Sequence, residues 1–180
     1  KLTKRIVEPK SAVTIAFVGK YIDLKESYKS LTETFVHCGA WIDSKINLKW
    51  VDAEALENGD TSELANCDGI LIPGGFGTRG IEGKIAAVKY ARENKIPFLG
   101  ICLGMQLLCR DSEESETKAL GIFDVSVKRF PDSVLIPQIG WNQIYDLKSD
   151  LFKNIPEQSY MYLVHSYYAE KNENTIATTD

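Results

Sequence analysis

Apolar runs and helical spacings alternate along the first hundred residues. After a polar, Pro-containing lead from Lys1 to Ser11, the run Val13 to Val18 is unbroken and rich in β-branched residues, ends at Gly19, and predicts a strand buried on both faces. From Tyr28 to Cys38, Leu31, Phe35 and Cys38 recur at helical intervals, and Gly39 predicts the stop. Ile46 to Val51 alternates as a strand does, Glu54 to Ala65 reads as a short polar-faced helix, and Asp68 to Ile72 is a second buried-strand run. The segment PGGFGTRG follows. Next come a helix over Ile81 to Asn94, with Ile85, Val88, Tyr90 and Ala91 facing inward, and a strand over Ile96 to Ile101. This alternation of strand and helix predicts an α/β fold with a mostly parallel sheet flanked by helices.

Beyond Arg110 the texture changes. An acidic loop, DSEESETK, leads to strand candidates at Gly121 to Phe130, Val134 to Ile136, Asn142 to Tyr145 and Tyr160 to Ala169. Short strands in succession predict an antiparallel addition to the parallel sheet. With no repeat and no linker beyond residues 1–12, the 180 residues read as one domain.

Composition narrows the function without choosing it. The 25 acidic and 21 basic residues are spread along the chain, which argues against a charge-driven nucleic-acid or membrane role and favours a small-molecule or protein partner. Cys38, Cys67, Cys102 and Cys109 have neither a disulfide-framework spacing nor the pairs of a metal knuckle, so no metal or cofactor is expected and a reducing cytoplasm fits. No signal-type or membrane-length apolar run is present.

Chemistry concentrates at Gly100-Ile-Cys102-Leu-Gly104-Met-Gln106. A cysteine between an apolar strand and a helix-forming run, with glycine two residues before and two after, is the layout of a nucleophile elbow with sulfur in place of oxygen. The start of a helix there favours the thiolate, which attacks an amide carbonyl. Acyl chemistry also needs N–H groups aimed at the developing oxyanion. Pro73-Gly74-Gly75-Phe76-Gly77 follows a neighbouring strand at the same sheet edge, so the N–H groups of Gly75 and Leu103 form a candidate oxyanion hole. Taken alone, the glycine run also reads as a plain turn or a phosphate cradle, and Cys102 as a packed core cysteine. No Walker lysine and hydroxyl residue follow the run.

GICLGMQ together with PGGFG resembles the class I glutamine amidotransferase domain, whose fold is flavodoxin-like. Up to Gln106, the stretches EPKSAVTIAFVGK, VGKYIDLKESYKSL and DGILIPGGFGTRGIEGKIAAVKYARENKIPFLGICLGMQ resemble the glutaminase domain of the CTP synthase family. From Gly100 onward, GICLGMQLLCRDSEES, LGIFDVSVKRFPD, IPQIGWNQI and YLVHSYYAE resemble the glutaminase subunit of imidazole glycerol phosphate synthase. The two meet at the elbow, as in a chimera.

The resemblance implies that Cys102 is the nucleophile, that Gly75 and Leu103 are oxyanion donors, and that Gly75, Leu103, Gly104, Met105, Gln106, Glu114, Ser166 and Tyr167 hold the glutamine. It places Trp141 at a subunit interface. It implies L-glutamine as substrate, a Cys102 thioester, and ammonia passed to a synthase domain or subunit. It also calls for a histidine and a glutamate spaced HxE, the base and its orienter. The histidines present are His37 and His165; the resemblance matches His165 with a non-catalytic position, although Glu170 stands near it in sequence. The chain therefore reads as truncated before the pair, and a chimeric or truncated domain without turnover is the alternative to a glutaminase. A cysteine hydrolase acting on other amides is a third reading.

Overall fold

The computed structural model describes residues 2–20, 22, 25–75, 79–114 and 117–179, which fall into two compact units, 1–105 and 106–180. In the first, β1 (Ser11–Gly19), β2 (Ser44–Asp52), β3 (Gly69–Ile72) and β4 (Phe98–Gly100) form a parallel sheet in the order β2-β1-β3-β4. The two central strands carry the continuous apolar runs: Ala16, Phe17 and Val18 have no exposure, and Ile70, Leu71 and Ile72 almost none. Burial on both faces explains why these runs do not alternate. Phe17 and Leu71 are register partners, and with Tyr28 they form a core onto which Leu31, Phe35 and Trp50 pack. Leu31 and Phe35 belong to α2 (Lys29–Ile42), which follows α1 (Leu2–Val7), and α3 (Ile81–Glu93) packs against β1 and β3.

Several sequence expectations are corrected here. The lead is not featureless, since α1 occupies it. Gly39 does not end α2; the helix continues to Ile42 and is closed by Asp43 in the left-handed region. A Cβ on Gly39 would stand 2.6 Å from the Ser44 carbonyl oxygen, so this glycine lets α2 lie directly on the start of β2. The helix expected over Glu54 to Ala65 is two short 3-10 turns, Glu54–Asn58 and Ser62–Leu64, broken where Gly59 takes φ 84°. On α3, Lys84 and Ala87 are buried with Val88 and Ala91, while Ile85 and Tyr90 are half-buried.

The second unit is antiparallel for the most part. β5 (Asp111–Ser112), β6 (Thr117–Lys118), β7 (Ser126–Arg129) and β10 (Tyr167–Ala169) form one sheet, ordered β10-β7-β5-β6. β8 (Gln138–Tyr145), β9 (Tyr160–His165) and β11 (Thr178–Thr179) form another, ordered β11-β8-β9. The segment read as an acidic loop thus begins and ends in strands, with Ser115 and Glu116 outside the described residues. Val134 to Ile136 is not a strand, and Leu135 there is among the most exposed apolar residues. No helix among the described residues is long and apolar enough to cross a membrane.

Candidate active site

The elbow is built by one left-handed residue and two close backbone approaches. Cys102 sits at φ 54°, a left-handed conformation that a non-glycine residue adopts only when its surroundings impose it. A Cβ on Gly100 would lie 2.3 Å from the Gly104 carbonyl oxygen, and one on Gly104 would lie 2.4 Å from that of Ile72. Neither position accepts a side chain, so the flanking glycines of the motif are required by backbone contact. The turn is closed by Gly104 N–H donating to the Ile101 carbonyl and Met105 N–H to that of Cys102, each at 3.0 Å. The helix that follows, α4 (Leu103–Gln106), is one turn long. Cys109, expected on that helix, lies in the turn after it, its N–H donating to the Gln106 carbonyl. So short a helix has little macrodipole of its own.

β3 and β4 pair with Ile72 opposite Gly100, and Ile101 N–H donates to the Ile72 carbonyl at 3.0 Å. The glycine turn after β3 is thereby brought beside the elbow. Gly74 lies against Cys102: its missing Cβ would be 3.1 Å from the Cys102 Cβ and 3.7 Å from Sγ. Gly75 comes next, and the Nζ of buried Lys84 lies 3.9 Å from where its Cβ would stand. Phe76 and Gly77 of the motif lie outside the described residues. Sequence reasoning missed Gly74 as the contact and missed Lys84 altogether. A signal existed, because Lys84, Ala87, Val88 and Ala91 share the spacing of one helix face.

The remaining residues lie in the second unit. Gln106 is 6% exposed and hydrogen-bonds through its side chain to Glu114, while its Oε1 is buried without a partner among the described residues. Burial pushes the Glu114 carboxyl above its ordinary range, and the Gln106 bond opposes this. The segment is pinned from below: Glu113 accepts from Arg129 N–H at 2.8 Å and from Lys128 Nζ at 3.2 Å, and Glu113 N–H donates to Val127. Ser166 accepts from Phe130 N–H at 3.0 Å through its carbonyl, and Tyr167 pairs with Arg129 across β10 and β7.

His165 Nδ1 donates to the Tyr167 carbonyl at 2.9 Å, and its ring meets Phe130 edge-on; His37 lies exposed on α2. Trp141, 68% exposed on β8, packs edge-on against Tyr162 of β9. Burial raises the Cys67 and Cys109 thiols above the usual cysteine range, as suits packing cysteines.

A cysteine elbow thus stands beside a glycine turn at the carboxyl edge of a parallel sheet. The chain belongs to the class I glutamine amidotransferase family: the family described as Glutamine amidotransferase class-I matches residues 23–179. Among its relatives, the CTP synthase of Campylobacter jejuni subsp. jejuni serotype O:2 is 55% identical over 139 residues, 77% of this chain and 25% of that protein. The CTP synthase of Wolinella succinogenes is 62% identical over 107 residues, 59% of this chain and 19% of that protein.

The solved structure of the Trypanosoma brucei CTPS glutaminase domain with bound acivicin superposes with a TM-score of 0.68 at 30% identity, covering 87% of this chain and 68% of that one. The chain thus spans about a quarter or less of the length of these curated relatives. An alignment of 139 residues cannot fit within residues 1–106, so likeness to CTP synthase crosses the elbow. These relatives lend no support to a second parent family beyond it.

Proposed function

We propose that this chain hydrolyses L-glutamine to glutamate and ammonia through a thioester on Cys102, and that it serves the synthase chemistry of its CTP synthase relatives. The observation that carries the reading is Cys102 itself. It is held at φ 54° between two glycines that admit no side chain, in a chain of the class I glutamine amidotransferase family. The family match runs through both compact units, which supports their working as one glutaminase domain.

In this reading the Cys102 thiolate attacks the side-chain amide carbon of glutamine. The oxyanion accepts from Leu103 N–H, the donor following a turn whose next two N–H groups are already engaged, and from Gly75 N–H. Collapse breaks the C–N bond, and the departing nitrogen takes a proton and leaves as ammonia. Water then attacks the thioester carbon, the C–S bond breaks, and glutamate leaves with Cys102 restored. Gln106 and Glu114 hold the amino-acid end of the substrate: a carboxylate and an unfilled carbonyl acceptor suit an α-ammonium group, and neither suits an anion. The family resemblance assigns Gly104, Met105, Ser166 and Tyr167 to glutamine binding as well.

The test is incubation with L-glutamine and measurement of glutamate and ammonia, beside Cys102→Ala. Glutamate well in excess of the protein, absent in the variant, is the expected result. Equal output from the two proteins overturns the reading. Release of a single equivalent per Cys102 keeps the nucleophile and removes turnover, in favour of a catalytically incomplete domain.

A further inference from the structure

The segment Arg79 to Lys84 builds a tight corner at the start of α3. Gly80 precedes α3 at φ 74°, and a Cβ on Gly83 would stand 1.6 Å from the Ala53 carbonyl oxygen, so the start of the helix lies directly on the backbone after β2. Arg79 pairs with Glu54 at the same corner from outside. The next residue is thereby carried inward: Lys84 is 2% exposed, among the largest fully buried side chains of the protein. Its amine ends at the glycine turn, 3.9 Å from the Cβ that Gly75 lacks, and adjoining Gly74 is the residue whose missing Cβ faces Cys102 Sγ at 3.7 Å.

Burying an ammonium is strongly unfavourable unless an opposite charge meets it. Among the described residues, two titratable groups act on Lys84: Lys20, just past β1, and Cys102 at the elbow. Burial is the largest influence and lowers the amine's pKa; Lys20 lowers it further, and the Cys102 thiolate raises it. Of the two, only the thiolate favours keeping Lys84 charged.

We propose that Lys84 is a positioning cation for the nucleophile, its buried ammonium holding Cys102 as the thiolate beside the Gly74–Gly75 turn. The coupling is reciprocal, since each charge favours the other by the same free energy. Its catalytic consequence rests on the glutaminase reading; the charge pair itself does not.

The test is peptide-resolved alkylation by iodoacetamide across pH, following Cys102 and exposed Cys38 separately in the parent and in Lys84→Met. The Cys102 midpoint is expected to move up by about one pH unit or more, a roughly tenfold slowing at neutral pH, with Cys38 unchanged. A folded Lys84→Met with an unmoved Cys102 profile overturns the proposal. Should that variant fail to fold, nuclear magnetic resonance of the Lys84 side chain in the parent and in Cys102→Ser reads the same coupling. The lysine midpoint is expected to fall in Cys102→Ser, and an unchanged midpoint overturns the proposal.

In glutamine hydrolysis, Lys84→Met is expected to lose kcat/KM about tenfold at pH 7 and to recover toward pH 9. A loss equal at every pH marks a packing role and overturns the proposal. Glutamine left intact by both proteins, with a shifted alkylation profile, sinks the glutaminase reading and leaves the charge pair standing.

Discussion

The two units fix their candidate residues by different physics. In the first, Cys102 is set by backbone pressed against backbone. Gly100, Gly104 and Gly74 each stand where a Cβ would meet another atom at 3.1 Å or less, and β3, behind Gly74, is buried throughout. In the second, Glu114 is set by polar bonds, with Glu113 tied to β7 and Arg110 tied to Asp111, Asp124 and Ser126. Steric fixation tolerates no added atom and ignores pH. Polar fixation tolerates volume and depends on charge. The difference teaches that a strained backbone conformation needs the rigid kind, while a polar pair such as Gln106 and Glu114 is held by groups that titrate.

The sharpest way to break this comparison is at Gly104. Gly104→Ala places a methyl group 2.4 Å from the Ile72 carbonyl oxygen, so the elbow must open or the sheet must shift. A loss of about 3 kcal/mol or more is expected, with activity abolished, measured by thermal denaturation and glutamate release. A variant as stable as the parent removes the steric account.

Gly74→Ala adds its methyl against Cys102 rather than against backbone, 3.1 Å from its Cβ. Here the fold is expected to hold within about 1 kcal/mol while kcat falls about tenfold or more through a displaced thiol. A variant that unfolds before losing rate shows the turn to be structural.

Glu114→Gln tests the polar side. The carboxyl's folded-state pKa lies above its ordinary value, because burial outweighs the Gln106 bond. A raised carboxyl pKa favours the neutral acid in the fold. Its stabilising contribution is present below the unfolded value, near 4, and is lost as pH rises through the folded value. The stability of Glu114→Gln relative to the parent is therefore expected to rise between pH 4 and pH 7, in paired thermal melts. Its KM for glutamine is expected to increase about tenfold with kcat changed less, as for lost ground-state binding. A flat pH difference removes the electrostatic part of the account.

The smallest effect is expected at Gly59, which has φ 84° and nothing within 4 Å of its missing Cβ. Gly59→Ala carries only the left-handed strain, about 1 kcal/mol, and leaves glutamate release unchanged. A larger cost would mean that positive φ alone, without contact, accounts for much of what is assigned to crowding at the elbow.

Much of the first unit was legible because its strands are short unbroken apolar runs and its elbow is a local motif. The β-α-β alternation, the runs of β1 and β3, and an elbow at Cys102 flanked by close-packed glycines all follow from near neighbours in sequence. The second unit was less legible: β5, β6 and β11 are two residues each, and no periodicity can be read from two residues. Gly39 misled for a related reason. A glycine required by contact with Ser44 looks, in sequence, like one that ends a helix. Lys84 misled most, since a lysine on an amphipathic helix is ordinarily placed on the solvent face.

By itself, the sequence determined the class of fold and the place of the elbow, because apolar runs, helical spacing and the glycines around Cys102 act over a few neighbouring positions. Only the tertiary structure decided that Gly74 is the residue against the thiol, that Gln106 and Glu114 meet, and that an amine on α3 is buried beside the glycine turn. Those facts depend on contacts between segments brought together by the sheet and by the approach of α3 to Ala53. Beyond the helix-face spacing that Lys84 shares with Ala87, Val88 and Ala91, such contacts leave no pattern in the chain from which they can be read.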